Sequence, residues 1–375
     1  MRGDRFALTG FSHCLRGLLD RYRMRVLRES FLLGLAQETL QTLSIEETET
    51  LTRMIAAAGL SRVICTIAEL GIADHVDGEP QSVAALAAAL NAHERSLYRV
   101  LRLAASYGIF EEKPDRQFAH TALSRKMRTD APGSFRAAGR MFHRIFPAWE
   151  GLHEAVASGQ PSFDTVYGKG LFEYVGDHPD LAPIFDAGMT SFHGHETAAM
   201  LEAYDFGEIR TLADIGGGNG SLISAVLNQY SGMRGILFDL GHVTGRAKAA
   251  LADAGVSDRC SFIEGNFFES IPSGADAYLM RHIIHDWTDE QSVQILSNIR
   301  KVIPSHGRVL LVEFDLLEAN QAGVGKDADM IMLAFPGGVE RTQREYTDLY
   351  RRSGFEFTRA VSTRSAVSVI EGRPA

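Results

Sequence analysis

Leu212-Ala213-Asp214-Ile215-Gly216-Gly217-Gly218-Asn219-Gly220 reads as a buried strand that runs into a glycine turn and then into a helix starting near Ser221. Glycine carries no Cβ, so it tolerates positive φ and lets a ligand approach the backbone. The first turn of the helix offers free N–H groups to a carboxylate or phosphate. The next apolar run, Gly235-Ile236-Leu237-Phe238-Asp239, ends in an acid about 20 residues after the glycines, where nucleotide-binding α/β folds set a carboxylate against ribose hydroxyls. A dinucleotide or a methyl donor with an amino-acid head group suits such a turn. Two details favour the second. Ser221 stands where the third glycine of the dinucleotide fingerprint falls, and Asp214 precedes the first glycine, placed to hold an ammonium directly or through water.

Met280-Arg281-His282-Ile283-Ile284-His285-Asp286-Trp287 follows the mostly apolar run 275–279, so it lies at the C-terminal end of another strand, the edge where open parallel sheets bind ligands. Thr288 and Gln291 have capping-box spacing, which starts a helix carrying Val293, Leu296 and Ile299 and sets His285 in the loop before it. A histidine there reaches the ligand edge; a packed, hydrogen-bonded histidine is the alternative reading.

With 375 residues, 45% hydrophobic content and net charge −9, the chain can build two ordinary domains and carries no global field for nucleic acid. Cys14, Cys65 and Cys260 are far apart and lack metal-ligand spacing, which predicts a reducing cytosol, no disulfide framework and no structural metal. No run of 18 apolar residues is present, so no transmembrane helix is expected. The Arg-rich start, residues 1–28, lacks the apolar core of a secretory signal. Its Phe11, Leu15, Leu18, Tyr22 and Val26 share one helical face, which reads as a partner-packing helix, with a basic membrane-surface helix as the alternative.

Ser44 and Glu47 have capping-box spacing ahead of Leu51, Met54 and Ile55. Residues 82–90, a turn at Asn91-Ala92-His93 and residues 94–106 read as helix-turn-helix, with 108–111 and 118–120 as a short wing. Such a module makes a DNA-binding regulator one hypothesis. Charge argues against it, because Arg95, Arg99 and Arg102 face a wing holding Glu111, Glu112 and Asp115. Residues 140–200 are helical and rich in bulky apolar side chains, with His193 and His195 reading most simply as exposed helix histidines and, as the alternative, as polar contacts for a ligand held there. Strand and helix then alternate from Ala203 onward, ending in a hairpin of 355–357 and 366–370, which predicts a doubly wound sheet. The expected division is a helical extension (1–50), a winged-helix domain (51–135), a helical connector (136–202) and an α/β domain (203–375).

Asp214-Ile-Gly-Gly-Gly-Asn-Gly220, Phe238-Asp239, Gly265-Asn266-Phe267-Phe268, His285-Asp286-Trp287 and 337–342 (GGVERT) occur in an order and spacing that resembles one family. It is the class I S-adenosylmethionine-dependent O-methyltransferases of the plant caffeate type and their bacterial relatives that tailor aromatic polyketides. The resemblance spans roughly residues 55 to 372. It implies a Rossmann-like methyltransferase domain behind a winged-helix domain that dimerises and closes part of the partner's pocket, hence a cytoplasmic homodimer without nucleic acid or integral membrane contact. It implies that Asp214, Gly216, Gly218 and Asp239 hold the methionine portion and ribose of S-adenosylmethionine, Asn266 and Phe267 the adenine, with Arg281 on the cofactor side. His285 becomes the general base, bracketed by Glu313 and Glu340, because the acceptor oxygen in an in-line displacement must be deprotonated and held about 3 Å from the methyl carbon. Trp149, Phe163, Met189, Phe192, Met332 and Phe335 become the acceptor pocket, whose aromatic and Met walls suit a flat phenol or polycycle. The family has Gly-Asp where this chain has Gly265-Asn266, so cofactor binding is expected to be retained at lower affinity. That change also leaves room for a relative that binds the donor but runs a hydroxylation or a pericyclic reaction.

Overall fold

A computed structural model of the chain describes residues 45–314, 316–317 and 319–375, which divide into two units after Ser61. The basic helix expected in residues 1–28, Cys14 and Ser44 lie outside the described residues. Helix α1 (Ile45–Leu70) is, among the described residues, the one helix long and apolar enough to cross a membrane by length and composition. The stretch is not an unbroken apolar run, because Arg53 and Arg62 fall within it, and it qualifies by a test of average hydropathy alone. A helix that packs apolar surface against protein passes it equally.

The helix-turn-helix follows as read. After β1 (Gln81–Ser82), α2 (Val83–Leu90) starts on the Ser82 hydroxyl, which accepts from Ala85 N at 3.2 Å, and ends on Asn91 in the left-handed region at φ 48°. Helix α3 (Glu94–Ser106) buries Leu97, Leu101 and Ala104, an i, i+4, i+7 stripe. Strands β2 (Phe110–Lys113) and β3 (Gln117–His120) form the antiparallel wing, with β1 on the free edge of β3 and α4 (Ala122–Arg125) after it.

Five helices make the connector: α5 (Arg136–Ile145), α6 (Leu152–Ser158), α7 (Ser162–Tyr167), α8 (Leu171–Asp177) and the long α9 (Ala182–Ala203). Gly188 lets α9 lie close on α5, since a Cβ there would sit 2.9 Å from the sulfur of Met141.

The remaining elements are β4 (Thr211–Ile215), α10 (Ser221–Gln229), β5 (Arg234–Asp239), α11 (Gly241–Asp253), β6 (Cys260–Glu264), β7 (Ala277–Arg281), α12 (Asp289–Val302) and β8 (Arg308–Phe314). They end with α13 (Val324–Ala334), α14 (Gln343–Arg352), β9 (Phe355–Ser362) and β10 (Val367–Pro374). The seven-stranded sheet has the order β6-β5-β4-β7-β8-β10-β9, parallel from β6 to β8, with β10 antiparallel to both neighbours. Alternate residues of each strand feed two cores. Leu212, Leu237, Leu279 and Leu310 pack on one face with α10, and Ala213, Ile236, Met280 and Leu311 on the other with α12 and α14. Burying each such large side chain contributes about 1.5–3 kcal/mol, and covering both faces explains why the strands are apolar throughout rather than alternating. The chain runs outward from β4 to β6 and then returns to β7, so strand order reverses between β4 and β7. That switch point is where the glycine turn and His285 both emerge.

Candidate active site

Gly216, Gly218 and Gly220 all take positive φ (70°, 57° and 78°), so the turn after β4 needs glycine for its backbone. Gly220 also needs it for space, because a Cβ there would lie 2.2 Å from Leu251, whereas at Gly218 no atom lies within 4 Å. The turn is clipped to the next strand. Gly216 N donates to Phe238 O at 2.8 Å, and Asp239 accepts from Gly218 N at 2.8 Å and from Leu240 N at 2.7 Å. Asp214 is buried beneath the turn, and its Oδ2 has no hydrogen-bond partner. Burial, reinforced by Asp239 and opposed by Arg281, pushes its pKa up to about 7. A buried carboxylate in that condition is poised for a cation.

Arg281 closes the other side, with Nη1 donating to Thr197 Oγ1 at 2.7 Å and to His193 O at 3.4 Å, which fastens β7 to α9. Asn266 is engaged within its own loop: Oδ1 accepts from Phe268 N at 3.0 Å and Nδ2 donates to Glu269 at 3.3 Å. Phe267 stands edge-on to Phe268 and Trp287. Asn298, which the sequence reading passed over, holds this loop by donating to the carbonyls of Phe267 (2.9 Å) and Phe268 (3.0 Å).

His285 sits in a single 3₁₀ turn, Ile284–Asp286, between β7 and α12, and the Thr288–Gln291 capping box forms as the spacing predicts. Its Nδ1 lies 2.6 Å from Glu340 Oε1 and 3.7 Å from Glu313 Oε2, and both carboxylates are fully buried. Glu313 also accepts from Ile284 N at 3.0 Å. Burial alone would lower the imidazole, but Glu313, Asp286 and Glu340 outweigh it and push its pKa up to about 10. The GGVERT segment is what locks this loop. A Cβ on Gly338 would lie 1.9 Å from His285 O, Val339 N donates to that oxygen at 2.8 Å, and buried Arg341 donates to Ile284 O (3.1 Å) and Trp287 O (2.8 Å).

A second cluster joins His193 to Glu196 and His282, a grouping that the sequence did not show. His193 is not an exposed helix histidine: its side chain is 12% accessible, because on α9 it shares a face with Met189, Glu196 and Met200, which turns toward the sheet edge, while His195 points to solvent. Glu196, 2% exposed, places one oxygen 3.2 Å from His193 Nδ1 and 2.8 Å from His282 Nε2. Although burial opposes it, the two imidazoles hold the Glu196 carboxyl well below its usual range. Burial keeps His193 and His282 low, hence neutral. The only hint in the sequence was the i, i+3 spacing of His193 and Glu196.

The bulky residues of the connector do come together. Phe335 meets Trp149 (5.4 Å), Phe142 (6.0 Å) and Phe163 (6.1 Å), and Phe142 meets Phe192 (5.7 Å). Trp149, Met189 and Phe192 keep accessible surface; Phe163 and Phe335 have almost none and back the wall, and Met332 is buried too. Ser162 ties α7 to α13 through Ala334 O at 3.1 Å.

Comparison with known proteins places this geometry. Residues 149–356 match the O-methyltransferase domain and residues 52–130 the O-methyltransferase dimerisation domain. The chain is 37% identical to a phenazine O-methyltransferase of Lysobacter antibioticus, over 86% of this chain and 95% of that protein. It is 35% identical to the mitomycin biosynthesis 6-O-methyltransferase of Streptomyces lavendulae, over 84% and 90%. A solved structure of a calicheamicin-biosynthesis methyltransferase with S-adenosylhomocysteine bound superposes with a TM-score of 0.78 at 32% identity, over 89% of this chain and all of that one.

Proposed function

Because the chain belongs to the O-methyltransferase family, we propose that it transfers a methyl group from S-adenosylmethionine to a hydroxyl of an aromatic small molecule, as a homodimer, with His285 as general base. The observation that carries this reading is the 2.6 Å contact between His285 Nδ1 and buried Glu340 at the strand-order switch point. The residues present fit the cofactor. Asp214 has an unpartnered buried oxygen for the ammonium of the methionine portion, and no atom would lie within 4 Å of a Cβ at Gly218. Asp214, Gly216 and Gly218 would hold that portion, Asp239 the ribose, and Asn266 with Phe267 the adenine, with Arg281 on the cofactor side. Bound there, S-adenosylmethionine supplies a methyl group on a cationic sulfur.

The chain's own residues do the rest. With its Nδ1 proton donated to Glu340, His285 presents Nε2 to the acceptor hydroxyl and takes its proton. An ordinary phenol, with pKa about 10, is ionised to only about 0.1% at neutral pH. A base raised to about 10 matches that phenol, so moving the proton from oxygen to imidazole costs little. The same elevation keeps the ligand-free imidazole protonated at pH 7, so kcat/KM rises with pH through neutrality. Trp149, Met189 and Phe192, stiffened from behind by Phe163, Met332 and Phe335, suit a flat apolar acceptor, in line with the phenazine and mitomycin named for the relatives. The matched dimerisation domain supports the homodimer, with residues 1–50, 51–135, 136–202 and 203–375 taken as extension, dimerisation, connector and catalytic parts.

The test is an assay with isotopically labelled donor and a panel of hydroxylated phenazines, quinones and phenols, read by mass spectrometry. A product heavier by one methyl with matching S-adenosylhomocysteine, strongly reduced in His285→Ala while donor binding persists, is the expected result. Donor bound but never consumed across the panel moves the reading to non-methylating chemistry, and an undiminished His285→Ala rate rejects the base.

A further inference from the structure

Two histidines at this edge are built alike. His285 turns Nδ1 onto buried Glu340 at 2.6 Å, and His193 turns Nδ1 onto buried Glu196 at 3.2 Å. His282 lies between them, its ring 4.0 Å from that of His193 and 5.0 Å from that of His285, so the two imidazoles belong to one wall. The fold does not ask for this. Met189 and Met200, which share this face of α9, are apolar, and burying a carboxylate among them costs several kcal/mol unless it is well partnered. Glu196 reaches His282, whose backbone is left-handed (φ 53°), through its own contact at 2.8 Å, and His193 is a further partner on the same carboxylate.

We infer that His193 binds a second hydroxyl of the acceptor, one that is not methylated, so that the enzyme selects aromatic acceptors carrying two hydroxyls on one nucleus. The inference rests on the proposed methyl transfer and specifies its substrate class. The chemistry follows from the tautomer. Glu196 is a carboxylate and can only accept, so His193 donates its Nδ1 proton to it and Nε2 is left with a lone pair. A lone pair recognises an O–H donor, which is a neutral hydroxyl rather than a carboxylate. An anionic group would require His193 to take up a proton, and burial disfavours that. Met189 and Phe192, one turn before His193 and beside it on α9, put the imidazole next to the surface suited to the ring that bears the hydroxyl. The two histidines then divide the work: His285 removes the proton of one oxygen, and His193 holds the other oxygen still.

The experiment compares kcat/KM for a dihydroxy acceptor and for the monohydroxy compound of the same ring skeleton, in wild type, His193→Ala, His193→Gln and Glu196→Gln, with acceptor binding measured in parallel by calorimetry. Losing a hydrogen bond to a buried partner predicts that His193→Ala lowers kcat/KM for the dihydroxy compound by about 10- to 100-fold and for the monohydroxy compound by no more than about threefold. His193→Gln, which can still accept, recovers part of the preference. Equal losses on both compounds, or none, overturn the inference and leave His193 a structural residue. If wild type methylates neither compound, the proposed function fails separately, and calorimetry still decides: selective weakening of the dihydroxy compound in His193→Ala supports the site, and unchanged binding overturns it. The ligand atoms of His193, Glu196 and His282 also lie within 4.8 Å of one another, so metal content is measured. One zinc per chain, lost in His193→Ala, would overturn the hydroxyl-binding role.

Discussion

Replacing Glu340 with Gln removes the carboxylate 2.6 Å from His285 Nδ1 while keeping a side chain of the same size with a carbonyl that can still accept the proton. Two unit charges about 4 Å apart at an effective dielectric near 20 interact by about 4 kcal/mol, or roughly 3 pKa units. Glu313, 3.7 Å from the same nitrogen, remains in place; burial raises its carboxyl and His285 opposes that rise, so part of the partner charge is kept. The expected result is that His285, raised to about 10 in wild type, falls by about one to three pKa units, the range seen for carboxylate partners at this distance. The assay is an imidazole nitrogen NMR titration of the ligand-free protein, with the His285 signal identified among the 13 histidines by its absence in His285→Gln. In the rate profile, the limb of kcat/KM that rises with pH moves toward acid by the same amount. Stability follows the same sign. A folded pKa above the unfolded value of about 6.5 contributes stability that is fully present below 6.5 and lost as pH rises through about 10. Glu340→Gln therefore lowers Tm more at pH 6.5 than at pH 10. A wild-type imidazole that titrates at or below 6.5, or one unmoved by the substitution, refutes the reasoning.

Two further outcomes can be measured on donor binding and stability. Asp214, raised by burial to about 7, destabilises the ligand-free fold progressively as pH rises from its unfolded pKa of about 4 through 7; Asp214→Asn should raise Tm at pH 8, by up to about 4 kcal/mol in stability, and weaken donor binding in calorimetry. An unchanged Tm at pH 8 would mean that the buried charge is already compensated. Asn266→Asp restores a charged acceptor and keeps the bond from Phe268 N, so donor affinity should tighten by about 5- to 10-fold; an affinity that tightens little counts against a role for this residue on the adenine.

The strands, their order of appearance and the helix starts were legible because each depends on neighbours in sequence. The glycines after β4, the capping box at Thr288 and the apolar runs of the buried strands act over a few residues. The helix-turn-helix was legible for the same reason, with its turn at Asn91-Ala92-His93. A second capping box, at Thr342–Glu345, is equally local.

What the sequence by itself determined was the strands and helices of a doubly wound sheet and the presence of His285 at a strand's C-terminal end, since period and turn chemistry are local properties, whereas the strand order and its switch point came from the pairing. Only the tertiary structure decided what surrounds that histidine. Glu340 is 55 residues away and Glu313 is buried on another strand, and nothing in the spacing of either tells a supporting carboxylate from an ordinary surface acid. His193 shows the limit most clearly. Its own helix would expose it as readily as His195, and what buries it is the sheet edge and the His282 loop, brought against α9 from 86 residues further along the chain. Which face of a helix is inside is set by what packs on it. That packing turned a histidine that looked solvent-facing into one of a matched pair.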